Sequence, residues 1–215
     1  MKKRLDEFVV DIEFLLISVV QGVALAALAA AAAPIVANLQ LEYWPYIVSA
    51  LLFILIFWSQ AIMHVLGFIK WPLDMIHNFL YFVASLIEVM AFSVMNKPLV
   101  WFSLFFFFVL VAGVLYYYDL LLIKACKSDF SKTSSGKALY EDLHKEQMTN
   151  MKFFVPGGLL FNAACIFLIV KHPQIFIQNH NHVFLVGIQI LFGLVILLTS
   201  LKTFKKRLAL IAKNK

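Results

Sequence analysis

The sequence predicts an all-α integral membrane protein, a bundle of six transmembrane helices with both termini in the cytoplasm. Three observations carry that expectation. Hydrophobic residues make up 63% of the 215 and charged residues only 14%, whereas soluble domains run near half apolar and about a quarter charged. Six stretches approach the ~20 apolar residues that a helix needs to cross the hydrocarbon core. The Lys and Arg residues collect on one side of those stretches.

The six spans fall at roughly 14–37, 45–69, 72–95, 99–123, 153–170 and 183–201. The last two are near the lower length limit. Open strands cannot span lipid, because their edge amides would stay unsatisfied. A barrel would alternate in polarity, which Phe105 to Phe108 and Ala29 to Ala33 contradict. The residues outside the spans are too few for a second globular unit, so 1–215 reads as one transmembrane domain.

Orientation follows from the charges. The N-terminus carries Lys2, Lys3 and Arg4, the second loop Lys70, the fourth loop Lys124 to Lys152, and the tail 202–215 the rest. Of the 18 Lys and Arg residues, only Lys97 and Lys171 fall on the opposite side. The positive-inside rule then puts both ends in the cytoplasm, where anionic lipid headgroups are the expected partner. Tyr43, Trp44, Tyr46, Trp71 and Trp101 sit near span ends, as an aromatic belt does. The location that this implies is an integral membrane one. The first apolar run is too long for a signal-peptide core, and Asp6, Glu7, Asp11 and Glu13 precede it, so it reads as a retained helix.

The segment 124–152 is the one sizeable loop. Ser134-Ser135-Gly136 can open a short helix over 138–148, and its mixed charges read as a solvated connector, with a partner-binding segment as the alternative.

Polar residues inside spans are costly and mark helix interfaces or wet cavities. In the first span Ser18 and Gln21 are three apart and predict one polar face, beside a Gly22, Ala26, Ala30 ladder that lets another backbone approach. A run of small residues from Val23 to Ala33 predicts a central helix, either tightly packed or lining a pathway. The second span carries Ser59, Gln60 and His64. The third opens with Asp74, His77 and Asn78, joined to the second by a turn at Lys70-Trp71-Pro72. These side chains are expected to form helix-bridging hydrogen bonds.

His64, His77 and Asp74 also admit a metal reading. Their spacing matches no zinc or di-iron pattern, so no metal and no cofactor is expected. Glu88 lies past the middle of the third span with no cation in any span to pair with. It is a candidate for proton coupling or cation attraction, or else a hydrogen-bonded buried acid. Asp119, beside Tyr116, Tyr117 and Tyr118, reads as interfacial. Asn162, Gln189 and Pro156-Gly157-Gly158 read as packing features.

Cys126 and Cys165 are too few for a disulfide framework. Hydrolase, zinc-peptidase, P-loop and dinucleotide motifs are absent, so an enzyme is disfavoured. No basic, aromatic-interleaved pattern suggests nucleic acid, despite a net charge of +6.

Three segments resemble a known family. Phe14-Leu15-Leu16-Ile17-Ser18-Val19-Val20-Gln21-Gly22-Val23-Ala24 in the first span, Phe57-Trp58 in the second and Asn78-Phe79-Leu80-Tyr81-Phe82 in the third are similar to the endosomal and lysosomal transmembrane potassium channels and their small bacterial members. The match departs at Ala61, where that family has His, and at Glu88-Val89, where it tends to have Pro. The resemblance implies a homotetramer with the first helices around a central pore. Leu25 and Leu28 would face that pore, and Ser18, Gln21, Trp58 and Asn78 would lock the helices. The function expected on this basis is a potassium or proton pathway. The alternatives are a proton-coupled transporter using Glu88 and an accessory membrane subunit without transport.

Overall fold

A computed structural model describes residues 2–68 and 74–212. The expected turn at Lys70-Trp71-Pro72, the aromatic-belt Trp71, and Lys213 and Lys215 lie outside the described residues. So do the side chains of Lys2, Lys3 and Arg4.

The described residues form helices and turns, with no strand. They contain eight α-helices in order: α1 (Lys2–Ala37), α2 (Trp44–Phe68), α3 (Met75–Phe92), α4 (Pro98–Ala125), the one-turn α5 (Lys127–Phe130), α6 (Ser134–Thr149), α7 (Val155–Lys171) and α8 (His182–Ala212). Among the described residues, six helical stretches are long and apolar enough to cross a membrane, so the chain is a polytopic integral membrane protein. The observed α3 is 18 residues, about 27 Å at 1.5 Å per residue. It is shorter than its apolar sequence suggested because Ser93 to Asn96 turn out of the helix. By contrast, α8 runs well past residue 201.

Helix starts follow local chemistry. Asp74 caps α3: its Oδ1 accepts from the backbone N–H groups of Ile76 (3.0 Å) and His77 (3.1 Å). Pro98 opens α4, where a missing N–H costs nothing, whereas Pro156 directly follows the π-turn that joins α7 to the preceding helix. Thr133 caps α6 through the Gly136 N–H at 2.9 Å. A Cβ at Gly136 would collide with the Phe130 carbonyl oxygen, so only glycine allows the chain to turn this tightly from α5 into α6.

The connector is not solvated as expected. Its helix spans 134–149 rather than 138–148. It continues through a π-turn at Asn150–Phe154 into α7. Gly136, Leu139, Leu143, Gln147 and Asn150 recur at three- and four-residue steps, and all are buried against the bundle.

Three helix pairs dominate the packing: α3 against α4, α4 against α7, and α2 against α8. The second pair interlocks reciprocally. A Cβ on Gly113 would lie 3.0 Å from Val155, and one on Gly158 would lie 3.2 Å from Val109, so each glycine seats the other helix's valine. Although consecutive, α7 and α8 pack chiefly on α4 and α2 rather than on each other.

Within the chain α1 is peripheral, packed on α2 and α3. Glu13, Ile17, Gln21, Ala24, Leu28 and Ile35 face inward. Gly22, Leu25, Ala26 and Ala30 face outward, and a Cβ on Gly22 would meet nothing within 4 Å. Among the described residues of the single chain, nothing covers the small-residue ladder, and Leu25 is exposed whereas Leu28 is buried.

Candidate functional site

Polar side chains bridge the helices at two levels. At the end away from the α5–α6 segment, the Tyr46 hydroxyl and His182 Nδ1 lie 3.0 Å apart. Ser49 Oγ (3.2 Å) and Trp101 Nε1 (2.9 Å) both donate to Gln189 Oε1, tying α2 and α4 to α8. Nearer the other end Gln60 Nε2 donates to Ser200 Oγ at 2.7 Å. The sequence suggested only a packing role for Gln189; it is instead a three-helix junction.

The polar residues of α1 to α3 divide. Gln21 Nε2 donates to the Tyr81 hydroxyl at 3.1 Å, and Asn78 Nδ2 donates to Glu13 Oε1 at 3.0 Å, so α1 is pinned to α3 twice. Ser18 is exposed and bonds back to the Phe14 carbonyl, so it does not share a face with Gln21. Positions three apart differ by about 60°, so with Gln21 pointing inward Ser18 lies just outside the buried stripe. Trp58 is 44% exposed. It faces outward one position after the buried Phe57 and is not part of a locking network.

Glu88 is fully buried, and neither carboxylate oxygen has a hydrogen-bond partner among the described residues. Gln21 is close enough to interact with it. Glu88 does not line the cavity described below, and neither do Ser18, Gln21, Leu25 and Leu28.

Asp119 overturns the interfacial expectation: it is 0% exposed. Its Oδ2 lies 3.0 Å from His64 Nδ1 and its Oδ1 lies 3.3 Å from His77 Nε2. The three ligand atoms fall within 4.8 Å of one another. Asp74, which sequence spacing had grouped with the two histidines, is engaged elsewhere. It caps α3 and its Oδ2 accepts from the Tyr118 hydroxyl at 2.9 Å. The substitution of Asp119 for Asp74 was invisible in the sequence because α4 returns to the cluster 42 residues after His77. A second sphere of amides surrounds the cluster: His64 Nε2 meets Gln147 Nε2 at 2.8 Å, and Asn150 Nδ2 donates to Gln147 Oε1 at 3.4 Å.

Beside the cluster lies a cavity of about 370 Å³. Phe53, Phe57, Phe108, Phe161, Phe192 and Ile196 give it an apolar wall. His64, His77, Gln60, Asn150 and Ser200 bring polar groups to it, and Asn162 and Gln189 reach it from α7 and α8. At its polar end stands Arg207, 1% exposed, which the sequence placed in a solvated basic tail. Arg207 Nε donates to Asp142 Oδ2 at 2.7 Å, and its Nη1 pairs with Glu146. Lys206 also pairs with Asp142. Asp142 and Glu146 are four apart on one face of α6, the spacing that lets one guanidinium take both carboxylates.

Comparison with protein-family models, curated proteins and solved structures returned no match.

The Arg207 group yields a stability prediction. Removing one member of a buried ion-pair network leaves uncompensated charge and costs about 3–5 kcal/mol, whereas a matched neutral set is far milder. Arg207→Met should therefore lower the melting temperature sharply in detergent. The triple variant Arg207→Met, Asp142→Asn, Glu146→Gln should recover most of the loss. A triple variant no more stable than the single one would show that the network's charges do not set the docking of α6.

Proposed function

We propose that this integral membrane protein binds an amphipathic small molecule in the cavity inside its own bundle and moves it across or within the bilayer. The observation that carries this reading is the cavity itself: about 370 Å³, within the roughly 300–1,000 Å³ of small-molecule sites. It has aromatic and aliphatic walls, with most of its polar groups toward the Arg207 end. A molecule with an apolar body and a hydrogen-bonding head matches that division. The loose packing between α7 and α8, both of which contribute cavity wall, favours entry from the lipid side. The reading is transport rather than catalysis, in keeping with the absence of a catalytic motif.

Ala112 contributes cavity wall from α4, so Ala112→Trp should fill the cavity while leaving the helix pairs in place. A single-chain amphiphile carrying a photoreactive diazirine should label α2, α7 and α8 peptides of the wild-type protein. Labelling should drop at least ~10-fold in the variant, the change that about 1.4 kcal/mol of lost binding produces. Equal labelling of both proteins on lipid-facing peptides would refute the cavity reading.

For orientation, we read the basic end of the bundle, with both termini and α6, as cytoplasmic, which the sidedness of Lys and Arg supports; the family resemblance implies a bacterial inner membrane as the host. Cys126 is partly exposed at that end, whereas Cys165 is buried. A membrane-impermeant maleimide should label Cys126 in inside-out vesicles and spare it in right-side-out spheroplasts. The opposite pattern would invert the topology.

A second reading has its own support. The outward Gly22, Ala26, Ala30 face of α1 lets another copy approach closely, consistent with the oligomeric potassium or proton pathway that the family resemblance implies. In that assembly Leu25, not Leu28, faces the shared axis. Native mass spectrometry should then find a tetramer that Gly22→Leu dissociates. A monomer at all concentrations would remove this reading and leave the cavity reading intact.

A further inference from the structure

We propose that His64, His77 and Asp119 form a binding site for a zinc-class divalent cation, shared by α2, α3 and α4. The ligand types are right for it: two imidazoles and a carboxylate suit zinc and its first-row neighbours. All three side chains are buried, at 3%, 5% and 0% exposure respectively.

The distances fit as well. Ligand atoms bound at ~2.0–2.1 Å in a tetrahedron lie about 3.3 Å apart. Here one carboxylate oxygen stands 3.0 Å from His64 Nδ1 and the other 3.3 Å from His77 Nε2, and one ligand atom from each residue falls within 4.8 Å of the others, so the imidazoles need only close toward the oxygen that binds. Alignment favours a metal site over a simple hydrogen-bonded triad. Among the described residues, neither oxygen of Asp119 receives an aligned hydrogen bond and neither nitrogen of His77 makes one, although the groups are near enough. Side chains that converge on a common point, rather than on each other, have this arrangement.

The outer sphere is also in place. A metal-bound imidazole usually donates its other N–H to an amide or carboxylate, which fixes its tautomer and orientation. Gln147 stands at His64 Nε2 for that purpose. With the metal on Nδ1, Nε2 carries the proton, the Gln147 amide turns its carbonyl oxygen toward it, and the Asn150 amide turns with it to keep the Gln147–Asn150 hydrogen bond. The amide orientation is interchangeable by rotation about one bond.

The three ligands leave a coordination position open, and the two histidines that flank it also line the cavity. One divalent cation, one carboxylate and two neutral imidazoles sum to a single positive charge. The open position therefore suits water or an anionic oxygen ligand. Metal binding itself does not depend on what occupies the cavity.

The test uses the full-length protein in detergent, stripped with a chelator and then titrated with zinc or cobalt(II). The expected result is one zinc per chain by elemental analysis and a saturable rise in melting temperature. Cobalt should give the visible absorption of a four-coordinate site. Asp119→Asn and His77→Gln should each weaken zinc binding by more than the ~10–100-fold that loss of a supporting partner causes. Asp74→Asn, which removes a nearby carboxylate that is not a ligand and keeps the cap, should bind zinc as the wild type does. The cobalt spectrum needs no variant, so it decides the matter even if the substitutions fail to fold. Wild-type protein with no saturable zinc response and no cobalt absorption would overturn the site. So would zinc affinity unchanged in folded Asp119→Asn.

Discussion

A carboxylate removed from water must be met by positive charge or by donors, because a low-dielectric surrounding repays nothing by itself. Asp119 is such a carboxylate, and much of the bundle's arrangement at the basic end is organised by it. It brings His64 from the last turns of α2 and His77 from the first turn of α3 to one point on α4. His64 then reaches Gln147, so the same demand extends to α6. Four helices are thus registered by a group whose surroundings lipid cannot supply. Hydrophobic contact would not fix that register, since lipid tails are as apolar as the side chains they touch.

The same logic explains why the interior holds a cavity instead of closing. The α2–α8 pair is fixed along its length by Tyr46 with His182, Ser49 with Gln189, and Gln60 with Ser200. The α4–α7 pair is fixed by the Gly113–Val155 and Gly158–Val109 contacts. Each pair is internally tight. Trp101 with Gln189 links them at one end, and the His64–Asp119 contact links them at the other. Between those links the facing walls are bulky rings held apart by their own helices. The space that remains is set by the two clamps.

Six helices, their order and most of their starts were legible in the sequence, because span length and proline or cap chemistry act locally. The polar residues were legible as a set but not in their pairings. Gln60, His64, His77 and Asn78 do bridge helices. Ser18 and Trp58 carry the same kind of signal and face outward, since spacing gives a relative angle but not which side is the core. Asp119 and Arg207 were misplaced for a related reason. A charge near a span end looks interfacial until another chain segment covers it: His64 and His77 close over Asp119, and Arg207 is covered by α6. Its inward face, Leu139, Leu143, Gln147 and Asn150, was present in the sequence at helical spacing. Two of those four are polar, which weakened the apolar stripe that would have marked the helix as docked. Asp142 and Glu146 were equally visible as a pair, but nothing local announces that a guanidinium 61 residues beyond Glu146 returns to them.

The π-turn at Asn150–Phe154 connects these features. One added residue in a helical turn rotates the helix beyond it, so α6 can present Gln147 and Asn150 to the bundle while α7 still presents Gly158 to α4. Asn150 lines the cavity and also donates to Gln147, which in turn meets His64. A polar head group placed at Asn150 therefore competes for a hydrogen bond that helps orient His64. Cavity and cluster share a wall, and they also share the chain of amides that sets one imidazole. Occupancy at either place changes the hydrogen bonding available to the other, and linkage requires that such an effect run in both directions.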